Sequence, residues 1–173
     1  MNWYFARNLL LFQVVWFVAA IGAARGASWP GLIAGMLVVG HHVASTKDRA
    51  PIQGIAYTGA LGAFAESALV ATGILRYSAP WPTDALAPAW IVVLWLAFAT
   101  TINASRKALR SVSRVMLIPL GAALGPLSYL AGERLGALTL ADPRWISLVA
   151  TAVVWGAAFP ILISMSERLE ARD

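Results

Sequence analysis

Six apolar stretches, separated by short polar or charged turns, account for nearly the whole chain. At about 1.5 Å of rise per helical residue, each approaches the roughly 30 Å thickness of a bilayer core. They predict helices over about 8–24, 31–46, 52–75, 89–105, 115–131 and 145–165. No stretch remains for a soluble domain, so the expectation is one transmembrane domain over 1–173, an all-α integral membrane bundle of about six helices.

The punctuation between the runs agrees with this division. Trp29-Pro30 opens the second helix, where proline's missing amide has no helical partner to lose. Lys47-Asp48-Arg49-Ala50-Pro51 separates the second helix from the third, and the 78–88 loop carries three prolines. The first run has small residues at Gly22-Ala23-Ala24, as a signal peptide would. Gln13 and Trp16 interrupt its apolar core, and it is read as a retained helix.

Charge orients the bundle. Arg7, Lys47, Arg49, Arg106, Lys107, Arg110, Arg114, Arg168 and Arg172 fall at one side, and Arg25, Arg76, Arg134 and Arg144 at the other. The positive-inside rule then places both termini in the cytoplasm. Trp29, Trp81, Trp90 and Trp145 are expected in an aromatic belt at the outer interface. Hydrophobic residues make up 60% of the chain and charged ones 12%, with a mean hydropathy of +0.71, far from soluble-domain values. The net charge of +5 is therefore assigned to orientation and lipid headgroups, and no nucleic-acid partner is expected. The absence of cysteine excludes disulfides, thiolate metal sites and thiol nucleophiles.

Against this apolar background Glu66 stands out as the acidic residue set deep inside a span. A carboxyl in hydrocarbon must be neutral, paired or wetted, which makes it a candidate acid/base or hydrogen-bonding group. It lies roughly 22 Å along the third helix, the same depth that Ser128 and Tyr129 reach at about 20 Å along the fifth. Ser67 and Thr151 fall in that layer as well, giving an expected outer polar cluster. A second layer, about 8–10 Å from the cytoplasmic side, would hold Gln13, His41, His42, Thr100 and Asn103. His41 and His42 are candidate catalytic bases, but as adjacent residues they point about 100° apart. They also lack the i, i+3 or i, i+4 spacing of a metal pair, and no metal site or cofactor is identified.

Gly125-Pro126 breaks one helical hydrogen bond near the Glu66 layer, so Pro126 is a candidate ligand-binding break in the fifth helix, against the plainer reading of a kink. Glycines four apart at 22 and 26, 31 and 35, 121 and 125, and 132 and 136 predict close helix packing or, alternatively, a homo-oligomer.

Several of these segments together resemble a bacterial family of small inner-membrane proteins classed as a domain of unknown function. The resemblance rests on Asn8 with Phe12-Gln13 and Trp16-Phe17, on Glu66-Ser67, on the run from Leu94 to Asn103, and on Gly125-Pro126-Leu127-Ser128-Tyr129-Leu130-Ala131-Gly132. Members of that family usually carry Asp where this chain has Glu66, and sit near fatty-acid-modifying genes. The resemblance implies lipid metabolism or envelope stress and assigns no catalytic residue.

Three function classes follow. The leading one is a protein that binds, and in an enzymatic version modifies, a lipid-like or apolar molecule. There Glu66 acts as acid/base or hydrogen-bond group, Tyr129 and Ser128 orient it, and Gln13, Asn103, His41 and His42 form a second polar site. The alternatives are a small proton-linked transporter or channel, and a subunit or assembly factor of a membrane complex.

Overall fold

The computed structural model describes residues 3–46, 49–109 and 112–171. Within these residues six helices form an all-α bundle: α1 (Trp3–Ala24), α2 (Trp29–Ser45), α3 (Arg49–Ala71), α4 (Ala89–Leu109), α5 (Arg114–Arg134) and α6 (Arg144–Glu170). Four of them contain segments long and apolar enough to cross a membrane, at 5–24, 51–71, 115–134 and 144–169, and 89–104 is a shorter apolar helix. Large apolar side chains point outward all round the bundle: Leu10, Leu37, Phe64, Val115, Leu127 and Val153 are each at least 60% exposed. A soluble monomer rarely shows so much apolar surface, whereas a bundle wrapped in hydrocarbon needs it.

α5 packs along α6, α3 lies against α4 and α6, and α1 and α2 pack on each other and on α4. Small residues set these approaches. A β-carbon on Gly35 would strike Val93, one on Gly62 the Trp95 indole, and one on Gly121 the Trp155 carbonyl. The Gly31–Gly35 and Gly121–Gly125 faces are thus filled by α1, α4 and α6 of the same copy. α1 and α5 make little direct contact, which leaves a cleft between them.

The third apolar run is not helical to its end. α3 stops at Ala71 because Gly73 takes φ +72, a left-handed conformation in which the Ile74 amide donates to the Leu69 carbonyl and the Gly73 amide to Val70. α5 ends in the same way at Gly136, φ +83. The chain leaves each stop as a three-residue strand, β1 (Leu75–Tyr77) and β2 (Leu138–Leu140). The two pair antiparallel, Leu75 with Leu140, Arg76 with Thr139 and Tyr77 with Leu138. Alternation then turns Leu75, Tyr77, Leu138 and Leu140 inward and leaves Arg76 and Thr139 exposed. This ladder caps the end of the bundle where α3 and α5 finish, and Glu133 fastens it by accepting from the Leu140 amide at 3.1 Å and pairing with Arg144 at 3.4 Å.

Of the expected aromatic belt, Trp29, Trp81 and Trp145 are exposed, but Trp90 is buried and donates its indole N–H to the Ala79 carbonyl at 3.1 Å. It holds the 78–88 loop down onto α4. α5 runs unbroken through both Pro119 and Pro126.

Candidate functional site

Glu66 sits near the end of α3 and is only 2% exposed. An apolar interior offers it no water, so its oxygens are met by side chains from three other elements. From β1, the Tyr77 hydroxyl donates to Oε2 at 2.7 Å. From α4, Trp95 donates its indole N–H to Oε1 at 3.1 Å, and from α5 the Tyr129 hydroxyl donates to the same oxygen at 2.5 Å. α6 joins through Trp155, whose N–H donates to the Tyr129 hydroxyl at 3.4 Å. Each indole or phenol brings a large apolar body with one polar tip, and the tips converge on the carboxyl.

Local folding explains each placement. Gly62, one turn before Glu66, leaves the space into which the Trp95 indole lies. Gly125, one turn before Tyr129, does the same for Trp155. The two indoles stack at 4.6 Å and 25°. Tyr77 reaches the carboxyl because the ladder folds the chain back over the end of α3. Burial, reinforced by the neighbouring Glu66, holds the Tyr77 phenol well above its ordinary pKa, so it remains a donor.

Beside this carboxyl lies a cavity of about 70 Å³, lined by Glu66, Tyr77, Trp95, Ser128, Tyr129 and Trp155 among others. A groove of about 620 Å³ adjoins it in the cleft between α1 and α5, walled by Leu9, Gln13, Phe17, Leu124, Leu127 and Ala131. Phe12, Trp16, Phe98, Ser128 and Trp155 line both spaces. At their junction the Trp16 indole N–H donates to the Ser128 hydroxyl at 3.2 Å, joining α1 to α5 across the cleft.

Of the residues proposed from sequence, Glu66 and Tyr129 are in contact, Ser128 lines both spaces, and Gln13 lines the groove. Ser67 and Thr151 share the depth but bond to backbone: Ser67 accepts from the Ala87 amide, and Thr151 donates to Ser147 and Leu148 carbonyls. Of the second layer, Gln13 lines the groove and no member lines the cavity. His41 is exposed, and His42 is buried on α2; neither lines the cavity or the groove. Asn103 donates to the Pro51 carbonyl at 3.3 Å and ties α4 to the start of α3, while Thr100 donates to Ala97 within its own helix. Pro126 lines neither space. Among the described residues no group of three or more His, Asp or Glu is placed to hold a metal ion.

Sequence reasoning missed Tyr77 and Trp95 as partners of Glu66, Trp155 as the partner of Tyr129, and Trp16 as the partner of Ser128. The available signal was the indole itself: a Trp in the middle of a span needs an acceptor for its N–H, and Glu66 and Tyr129 were candidates at that depth.

These features define a helical bundle of membrane-helix character organised around one buried carboxyl. The chain belongs to the family described as a protein of unknown function, DUF2878, whose model matches residues 5–161. No curated protein and no solved structure matches it.

Proposed function

We propose that the protein is a multi-pass protein of a bacterial inner membrane, with both termini cytoplasmic, that binds a lipid-like amphiphile from within the bilayer. The tail lies in the groove between α1 and α5, and the head enters the cavity at Glu66. One observation carries this reading: the apolar groove and the small cavity at Glu66 share five lining residues and meet at the Trp16–Ser128 hydrogen bond. A concave apolar space ending in a few convergent polar groups is the usual form of a small-molecule site. The Glu66 carboxyl and Tyr129 phenol, at 2.5 Å, form the pair between which a proton would move in an enzymatic version of this function. The unbroken α5 gives the transporter reading no support.

Ala131 lines the groove but not the cavity at Glu66, so Ala131→Phe narrows the groove without touching the carboxyl cluster. Native mass spectrometry of wild type and Ala131→Phe, each with lipid extraction, tests the reading. A defined amphiphile retained by wild type and lost from Ala131→Phe is the expected result. Identical bulk phospholipid on both would refute it.

A further inference from the structure

We propose that the head recognised at Glu66 is a small ammonium group, so that the ligand is a long-chain amine without a phosphate. The inference rests on the groove reading above and concerns the head alone. Among the described residues, eight of the sixteen that line the inner cavity are aromatic, none is Lys, Arg or His, and Glu66 is the one acidic residue. Its partners are all neutral donors: two phenols and one indole. Those hydrogen bonds orient the carboxyl group without supplying a positive charge. The missing countercharge is what a cationic head would bring into a desolvated site, where opposite charges attract most strongly.

The rings point the same way. Trp95, Trp155 and Phe98 line the same cavity as the carboxyl, and an aromatic wall accommodates a cation better than an anion. The cavity of about 70 Å³ has room for a primary ammonium and its first carbons. A phosphate brought against Glu66 would meet a like charge with no cation lining the cavity beside it. The adjoining 620 Å³ groove accepts the alkyl chain.

The test compares heads on a constant twelve-carbon tail, using the full chain in nonionic detergent and following tryptophan fluorescence. The probes are dodecylamine, dodecanol, dodecanoate and a lysophosphatidylethanolamine of the same tail length. Wild type is expected to bind dodecylamine about thirty-fold more tightly than dodecanol, the ratio expected for one charge-assisted hydrogen bond to the Glu66 carboxylate. Dodecanoate is expected to bind more weakly than dodecanol, and the lysophospholipid no better. In Glu66→Gln the amine preference should fall below about three-fold while dodecanol affinity persists. Equal affinities for amine and alcohol in wild type would overturn the ammonium inference and leave the groove reading standing. If the lysophospholipid binds as tightly as dodecylamine, the ligand is an aminophospholipid and the phosphate-free assignment fails. If no probe binds, and Ala131→Phe behaves as wild type, the groove reading itself falls. The wild-type series decides the question even where Glu66→Gln does not yield folded protein.

Discussion

Replacing Glu66 by Leu and by Gln separates the packing of this residue from its polar role. Leucine fills the space with apolar atoms and removes the acceptor for the Tyr77 hydroxyl, the Trp95 N–H and the Tyr129 hydroxyl together. Hydrogen bonds between helices in a membrane contribute about 0.6 kcal/mol on average and up to about 1.7 kcal/mol. Three lost together come to about 2–5 kcal/mol, to be set against a total stability of about 5–15 kcal/mol. At about 2–4 °C per kcal/mol for a chain of this size, Glu66→Leu should lower the melting temperature by about 4–20 °C. Glu66→Gln keeps an amide oxygen for Trp95 and Tyr129 and turns its NH₂ toward Tyr77, whose hydroxyl oxygen can accept. Its expected loss is one bond's worth, about 0.6–1.7 kcal/mol. The assay is thermal unfolding in one detergent, followed by near-ultraviolet circular dichroism, with monodispersity checked before and after. A Leu variant as stable as the Gln variant would refute the claim that the three donors depend on this carboxyl.

Two further outcomes are expected. Gly62→Ala sets a β-carbon against the Trp95 indole, which must shift away from Glu66; overpacking of this kind costs about 1–3 kcal/mol, read as a lower melting temperature with altered tryptophan fluorescence. Tyr77, its folded pKa raised by burial, contributes stability that is full below its unfolded value of about 10 and is lost as pH rises from there through the folded value. Melting curves taken above pH 10 should show this loss in wild type and less of it in Tyr77→Phe; identical alkaline slopes would contradict it.

The architecture was legible because hydropathy and turn residues act over the whole length of a span. Six apolar runs gave six helices, and depth along those helices placed Tyr129 beside Glu66. The ladder was not legible, because Leu75-Arg76-Tyr77 and Leu138-Thr139-Leu140 are too short for alternation to stand out beside long apolar runs. Extending the third helix to residue 75 absorbed Gly73, the residue that stops it. Tyr77 was therefore lost as a partner, since a continued helix would carry it away from Glu66. Depth carries no information about rotation about a helix axis, which decides that Ser128 lines both spaces while Pro126 lines neither.

The partners of Glu66 also set a sequence of events during synthesis. The carboxyl lies on the third helix to be made, Tyr77 and Trp95 follow soon after, and Tyr129 and its support Trp155 arrive only with the fifth and sixth. Strand β2, which fastens the Tyr77 segment, is made between those last two helices. As the chain leaves the ribosome and enters the bilayer, α3 carries an incompletely satisfied acid until nearly all of the protein has been made. A chain that stops short of α5 and α6 would therefore leave the Glu66 carboxyl without the Tyr129 donor and the Trp155 that supports it.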